Sequence, residues 1–388
     1  MFPVVGGRLP LRGEANLWPP PLERPCLPRG YLMVNSISIK NFRSFSDVKI
    51  DDCRRINLIV GENGSGKTAL LEALFLTAGV SPELIMRTRL WRGFEAERFS
   101  GSHEDVHQAL WADLFHKFQT NRQAVVQLKG TGEENRSVAV TLYRRGQMRV
   151  VAAPRSRPGA AVTVLPTPSP IEFKWNVQGR PVFVSAPTFE GNNIVFPPAP
   201  DSHVKASFFA ANRTAPNVEV ANRFSRLSRT FHDEQFVRDF NKLYANITGL
   251  SVEVTAGSPM LFAKVERIPE KIPLTLASGG MSKLAGILLA MPEMENGLIL
   301  VDEIENGFYH KRLPLVWKAL AEFSRIYKCQ LFLSTHSAEC IEAAASLAEE
   351  TPKDFSIIRT VLENGETKIR HFGGDKFVEA LEEHVDIR

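Results

Sequence analysis

The sequence contains few cysteines and no long apolar run, and each absence excludes a class of protein. Its 388 residues include only four cysteines, none of them in C-x-x-C spacing, so neither a disulfide framework nor a zinc site is expected. No run of about eighteen apolar residues occurs, so we predict no membrane-spanning helix and no membrane partner. Scattered thiols of this kind are typical of a reducing compartment, and we expect a cytoplasmic protein.

Charge and length set only loose limits on what the protein binds. The formal net charge is +4, and half of this surplus comes from the four Arg and two Glu in residues 1–32. The remaining residues are close to neutral, so overall charge neither favours nor excludes nucleic acid. A chain of this length with 44% hydrophobic residues can bury a sizeable core, in about two domains.

Residues 1–32 differ in character from the rest of the chain. They hold seven prolines and no periodic apolar pattern, so we expect a disordered tail. The segment also lacks the continuous apolar stretch that is typical of a signal peptide. A strand-like alternation begins at Met33, and two interpretations stay open: Met33 is the native start, or the tail is a genuine disordered segment.

A glycine-rich motif at 61–68 is the strongest functional signal. It satisfies G-x-x-x-x-G-K-[ST], follows the apolar run from Ile56 to Val60 and opens a helical pattern. Glycines let backbone N–H groups point at phosphates, the helix N-terminus favours anions, and the lysine reaches the β- and γ-phosphates. We therefore predict an ATP site here rather than an ordinary glycine turn, with Thr68 as a Mg²⁺ ligand. The predicted nucleotide-binding residues are Gly61, Glu62, Asn63, Gly64, Ser65, Gly66, Lys67 and Thr68.

A second motif is the apolar run from Leu298 to Val301, which ends in Asp302 and Glu303. A buried parallel strand would bring Asp302 to the edge of the sheet where α/β proteins bind ligands. We expect Asp302 to hold Mg²⁺ and Glu303 to polarise the water that attacks the γ-phosphate. Alone this pattern is weak, because many strands end in acidic residues, but the phosphate-binding motif strengthens it.

Two further segments could face a phosphate. His336 directly follows an apolar strand, and it could either donate to the γ-phosphate or be a solvated residue at a helix start. Ser278, Gly279 and Gly280 open a helix, either as an anion-binding N-terminus or as an ordinary turn and cap.

The coarse pattern predicts an α/β protein with a P-loop NTPase fold, in three parts after the tail. Residues 33–80 would form the first ATPase lobe, residues 81–200 an inserted helical and β region, and residues 201–388 a second lobe of alternating helices and strands. The expected helices lie at about 67–78, 84–120, 217–246, 280–291, 309–327 and 337–349. The expected strands lie at 34–41, 47–50, 56–60, 124–130, 137–143, 147–152, 171–176, 181–185, 204–210, 297–302, 329–334 and 355–362, with a hairpin at 251–266.

The motifs occur in the order found in ABC ATPases, and the surrounding sequence resembles one group of them. The segments ISIKNFRSFSDVKI and INLIVGENGSGKTALLEALF are similar to RecF, SMC and OLD-family ATPases. The segments ILVDEIENGFYH and FLSTHSAECIEA are similar to stand-alone AAA-family ATPases grouped with OLD proteins. The resemblance covers residues 34–78 and about 204–350, and it implies an ABC-type two-lobe head that binds and hydrolyses ATP.

The resemblance also implies how two chains would share the site. In such ATPases two subunits enclose two ATP molecules, so the expected partner is a second copy of this chain in an ATP-dependent homodimer. The signature residues Ser278, Gly279 and Gly280 would then cap the γ-phosphate that the other subunit binds.

Roles for four more residues follow from the same resemblance. His336 would be the switch histidine, and Arg43 would lie near the phosphates. Glu305 and Asn306 would lie in the loop that crosses the dimer interface.

The sequence departs from the pattern of the family in three places. The signature reads SGGM where transport-type members have SGGQ. The glutamine loop has no clear position, with Gln127 and Gln178 as candidates. No acidic TOPRIM-like nuclease domain follows His336 in the 388 residues, so the nuclease half of a typical OLD protein is not expected.

Arginines are concentrated in two clusters that could follow a nucleic-acid backbone. A solvated helix face or a surface for a partner protein is the commoner reason for such clusters. The first cluster is Arg144, Arg145, Arg149, Arg155 and Arg157, and the second is Arg223, Arg226 and Arg229 at helical spacing.

Three functions fit these observations. The first is a regulatory ATPase in a prokaryotic defence or DNA-maintenance system, with a separate effector protein. The second is a RecF-like DNA-repair clamp, in which the ATP-bound dimer holds DNA. The third is a nucleotide sensor with little turnover.

Overall fold

The computed structural model describes residues 33–91, 110–130, 135–142, 171–190, 193–197, 205–213, 215–374 and 376. Two six-stranded sheets organise these residues, one mainly parallel and one antiparallel. The predicted tail at 1–32, the strand at 147–152 and the arginine cluster at 144–157 lie outside the described residues. No helix in the described residues is long and apolar enough to cross a membrane.

The central sheet has the strand order β10-β14-β15-β3-β16-β17. Its strands run parallel from β10 to β16, and β17 pairs antiparallel with β16 at one edge. All residues of β3, β14 and β15 are buried, as expected for parallel strands that are covered on both faces. The strands are β3 (Ile56–Val60), β10 (Ala206–Phe209), β14 (Leu298–Val301), β15 (Gln330–Ser334), β16 (Phe355–Glu363) and β17 (Glu366–Gly373).

Side chains alternate along each central strand, so the sheet separates two apolar cores. Leu331 and Leu333 face one core, together with most of the helices that follow the central strands. Phe332 faces the other core, together with helix α1 and the antiparallel sheet. The helices are α1 (Lys67–Gly79), α2 (Glu83–Trp91), α3 (Asn217–Arg229), α4 (Asp233–Leu243), α5 (Leu274–Ala277), α6 (Gly279–Ala290), α7 (Leu313–Ile326) and α8 (Ala338–Glu350).

The antiparallel sheet has the order β2-β1-β4-β5-β6-β7, so residues of the predicted inserted region extend the sheet that begins with β1. It covers α1, where the Trp175 indole N–H donates to the Leu76 backbone oxygen at 3.0 Å. The strands are β1 (Val34–Phe42), β2 (Phe45–Ile50), β4 (Ala124–Gly130), β5 (Asn135–Leu142), β6 (Ile171–Val177) and β7 (Arg180–Ser185). Two small sheets complete the fold, formed by β8 (Thr188–Glu190) with β9 (Asn193–Val195) and by β11 (Ile247–Thr255), β12 (Ser258–Val265) and β13 (Ile272–Pro273).

Two predicted helices need correction, and the edge strand β17 lies outside the predicted elements. The single helix expected at 217–246 is two helices, because the chain turns at Phe231, which has φ +61° and is exposed. The helical segment expected at 84–120 is α-helical only in α2, and its described end forms 3₁₀ turns at Ala112–Leu114 and His116–Phe118. Strand β17 was not expected, because its mixed polar sequence is typical of an edge strand rather than of a buried one.

Candidate nucleotide-binding site

The phosphate-binding motif forms the connection between β3 and α1. Gly61 has φ +140°, and a Cβ atom there would lie 2.2 Å from the Thr360 backbone oxygen. Only glycine therefore fits at this position. The Ser65 hydroxyl lies 2.6 Å from the Thr360 hydroxyl, which fastens the loop to β16.

The side chain of Lys67, the first residue of α1, lies inside the phosphate-binding loop. Its ammonium donates to the backbone oxygens of Gly61 at 2.7 Å and Glu62 at 2.8 Å. Burial lowers the pKa of Lys67, while the carboxylates of Asp302, Glu303 and Glu305 act in the opposite direction. A loop wrapped around a buried ammonium is suited to bind a phosphate anion.

Thr68 and Asp302 face each other across the cleft, although 234 residues separate them in the sequence. The Thr68 hydroxyl donates to Asp302 Oδ2 at 2.9 Å. Ser334, at the end of β15, donates to Asp302 Oδ1 at 2.6 Å. Three neighbouring central strands thus bring a hydroxyl and an oriented carboxylate to one point, and such hard oxygen ligands suit Mg²⁺.

Glu303 follows Asp302 in a left-handed backbone conformation with φ +49°, which is uncommon for a residue with a side chain. Its N–H donates to the Ser334 hydroxyl at 2.8 Å, and its carboxylate Oε2 accepts from Asn306 Nδ2 at 2.6 Å. Glu303 and Asp302 both line a cleft of about 340 Å³ beside the phosphate loop.

Arg43 lies at the wall of the same cleft. Its Nε is 3.1 Å from Glu72 of α1, and its guanidinium also pairs with the Asp113 carboxylate. Asp113 pairs in addition with Arg89 of α2. The Arg43 side chain thus lies near the phosphate loop and is engaged by two carboxylates.

His336 lies just beyond β15, and its neighbour in space is Glu305. Glu305 Oε1 accepts from the His336 backbone N–H at 2.9 Å and lies 3.2 Å from Nδ1 of the ring. The ring is exposed. Glu305 therefore orients the histidine within its own subunit.

The signature residues open α6. The Ser278 hydroxyl caps the helix by accepting from the Met281 N–H at 3.5 Å. A Cβ atom at Gly280 would lie 2.2 Å from the Gly307 backbone oxygen, so α6 packs closely on the loop after Glu303. Within the described part of the chain, the cleft beside the phosphate loop is lined by none of Ser278, Gly279 and Gly280.

Lys283 of α6 also contacts the site, although no motif assigns it a role. It is 6% exposed, and its ammonium donates to the backbone oxygen of Glu303 at 2.7 Å. Burial lowers the pKa of Lys283 to about 8, although the carboxylates of Glu305, Glu303 and Asp302 act in the opposite direction. The only sequence signal was a lysine on the otherwise apolar helix α6.

The remaining candidates lie away from the cleft or are engaged elsewhere. Gln127 lies on β4 and Gln178 in the turn before β7, and the described residues that line the cleft include neither. Arg223 is buried and pairs with Glu219 and Glu293, while Arg226 also pairs with Glu293. Two of the three arginines on α3 are therefore paired with carboxylates of the same chain.

Comparison with known proteins identifies the class to which this site belongs. A family model described as "AAA domain" matches residues 36–165, and one described as "AAA domain, putative AbiEii toxin, Type IV TA system" matches residues 189–342. An "ATP/GTP phosphatase" of Helicobacter pylori is 25% identical over 347 residues, which cover 84% of this chain and 90% of that protein. A "DNA double-strand break repair Rad50 ATPase" of Archaeoglobus fulgidus is 42% identical over 62 residues, which cover 16% of this chain and 7% of that protein.

The fold has a counterpart among solved structures. An SMC head, solved in complex with the C-winged helix domain of ScpA, superposes with a TM-score of 0.54 at 15% identity, covering 88% of this chain and 99% of that one. The fold and the site define a P-loop ATPase with an α/β head of the ABC type. Within that class, the chain is similar to RecF, Rad50 and SMC ATPases.

Proposed function

We propose that this ATPase works as an ATP-dependent homodimer that regulates a separate effector protein in a prokaryotic defence or DNA-maintenance system. The observation that supports catalysis best is the position of Glu303. It lines the cleft beside Lys67 and Thr68, and its carboxylate is oriented by Asn306. A carboxylate fixed beside the phosphate loop is placed to act as general base.

The proposed reaction is hydrolysis of the β–γ phosphoanhydride. Lys67 and the loop N–H groups hold the β- and γ-phosphates, and Glu303 accepts a proton from the attacking water. The oxygen of that water bonds to the γ-phosphorus as the bond to ADP breaks, so the products are ADP and phosphate. Thr68 and Asp302 would hold Mg²⁺, which neutralises charge on the phosphate oxygens. His336 would donate to the γ-phosphate.

The dimer part of the proposal is supported by the location of α6. Its N-terminus, which carries Ser278, Gly279 and Gly280, offers N–H groups and a favourable dipole for an anion. Since these residues are absent from the described lining of the chain's own cleft, we assign them to the γ-phosphate of a partner subunit. Leu276, directly before the signature, is 79% exposed and would be covered in such a dimer.

One variant tests catalysis and dimerisation together. Glu303→Gln keeps the shape of the side chain but removes the basic group, so turnover should fall by about 10²–10⁴-fold. ATP binding should persist, and the variant should accumulate as an ATP-dependent dimer in light scattering. Normal turnover would contradict the role of Glu303, whereas lost turnover with a persistent monomer would contradict only the dimer.

A RecF-like DNA clamp is the alternative function. The chain is 44% identical to the RecF protein of Idiomarina loihiensis, but over only 45 residues. The intrachain pairing of Arg223 and Arg226 disfavours a phosphate-binding role for α3. Binding of duplex DNA with ATP across a salt series decides between the two, because a clamp should bind in an ATP-dependent manner and weaken steeply with salt.

A further inference from the structure

Lys283 is a buried ammonium to which the proposed reaction assigns no role. Its only hydrogen bond among those described runs to the backbone oxygen of Glu303, at 2.7 Å. An ammonium in the interior is costly unless it is paired and hydrogen-bonded. Apart from Ser282, the buried neighbours of Lys283 on α6 are apolar, with Leu284, Ala285 and Ile287 in the core. An apolar side chain would fit the helix without that cost, so the charge points to a role outside packing.

The group that Lys283 contacts is conformationally strained. Glu303 has φ +49°, and such a conformation persists in a non-glycine residue only where its surroundings fix it. Ser334 fixes one side of the residue by accepting its N–H, and Lys283 fixes the other side by donating to its carbonyl. Because the direction of a side chain follows from its backbone angles, the carboxylate of Glu303 depends on both contacts.

A second contact joins α6 to the same loop. Gly280 lies so close to the Gly307 backbone oxygen that no Cβ atom fits between them. Helix α6 therefore contacts the Glu303 loop at two points, through Gly280 at its first turn and through Lys283 further along. The helix that carries the signature also supports the candidate general base of its own subunit.

We propose that Lys283 is a positioning residue that holds the backbone of Glu303 in the conformation needed for hydrolysis. This inference rests on the proposed role of Glu303 as general base. Lys283 contacts neither the phosphate loop nor Asp302 through a described hydrogen bond, so it acts on turnover through Glu303 rather than on ATP binding.

A double-variant cycle tests this role. Lys283→Met keeps a long unbranched side chain but removes the ammonium, and it should lower kcat by about tenfold or more while the Kd for ATP changes by less than about twofold. In a Glu303→Gln background the same change should cost no further turnover, because the group that Lys283 positions is already inactive. Lys318→Met, on the exposed face of α7, is the matched control and should keep wild-type kcat.

Three results would overturn the inference: wild-type kcat in Lys283→Met, a loss of ATP affinity that accounts for the lower rate, or an equal loss of turnover with and without Glu303. Normal turnover of Glu303→Gln would overturn the proposed function itself, so the two failures are distinguishable. Should circular dichroism show that Lys283→Met is unfolded, Lys283→Gln, which keeps an N–H donor without the charge, takes its place in the same cycle.

Discussion

One carboxylate oxygen of Glu305 contacts His336 twice: it accepts from the backbone N–H at 2.9 Å and lies 3.2 Å from ring Nδ1. Glu305, which the resemblance places in the loop that crosses the dimer interface, thus also orients the proposed switch histidine.

This pairing predicts the effect of Glu305→Gln. The amide oxygen can still accept from the His336 backbone N–H, but the negative charge beside the ring is gone. Turnover at neutral pH should fall several-fold, with ATP affinity retained. His336→Ala should also lower turnover, and the double variant should be no worse than His336→Ala alone in a steady-state phosphate-release assay. Additive losses would show that Glu305 acts independently of the ring.

Lys67→Ala tests the phosphate loop. The variant loses the ammonium that the loop encloses, and a charge-assisted contact of this kind contributes about 1.5–3 kcal/mol. Affinity for ATP should fall by on the order of tenfold to a hundredfold in isothermal calorimetry. Lys353→Ala, at an exposed position, is the control. A folded Lys67→Ala protein with unchanged affinity would contradict the proposed site.

Mixing two inactive variants tests whether the signature acts on the partner. Ser278→Arg keeps an intact phosphate loop, whereas Lys67→Ala keeps an intact signature. A mixed dimer contains one complete site, formed by the phosphate loop of the Ser278→Arg subunit and the signature of the Lys67→Ala subunit. The mixture should therefore hydrolyse ATP faster than the sum of the separate proteins. A strictly additive rate would show that Ser278 serves its own subunit.

The lowered pKa of Lys283 predicts a pH dependence of stability. The unfolded chain keeps the Lys283 proton up to the ordinary value of 10.5, whereas the folded chain releases it near 8. Between these values the unfolded state binds more protons, so the contribution of Lys283 to the free energy of unfolding rises with pH. Urea unfolding from pH 7.5 to 10.5 should show wild type gaining stability relative to Lys283→Met. If the free energies of unfolding of the two proteins changed with pH in parallel, the result would contradict the lowered pKa of Lys283.

Much of the site could be predicted from the sequence because its parts are local. The phosphate loop needs glycine, lysine and threonine at fixed spacing, and Asp302 follows a strand whose apolar run is unmistakable. The order of helices and strands in the second lobe likewise predicts a parallel sheet, and the structure has one.

The contacts that orient these residues could not be predicted, because they join distant segments. Ser334 reaches Asp302 across 32 positions, and Lys283 reaches the Glu303 carbonyl across 20. Neither contact produces a recognisable spacing of residue types in the sequence. The break at Phe231 was missed because the apolar periodicity of α3 resumes in α4, so only the backbone conformation reveals the turn.

The position of β3 in the central sheet has a consequence for how the protein is made. Its two neighbours are β15 and β16, which begin at Gln330 and Phe355, whereas β3 ends at Val60. Thr360 of β16 lies 300 positions after Val60, so β3 is flanked on both sides only after the ribosome has synthesised that part of the chain. Until then β3 lacks the strands that pair with its two edges. Its unpaired backbone and apolar side chains make the nascent chain prone to aggregation. A ligand that binds only the folded state stabilises it, so we expect ATP to stabilise the head chiefly after this late pairing.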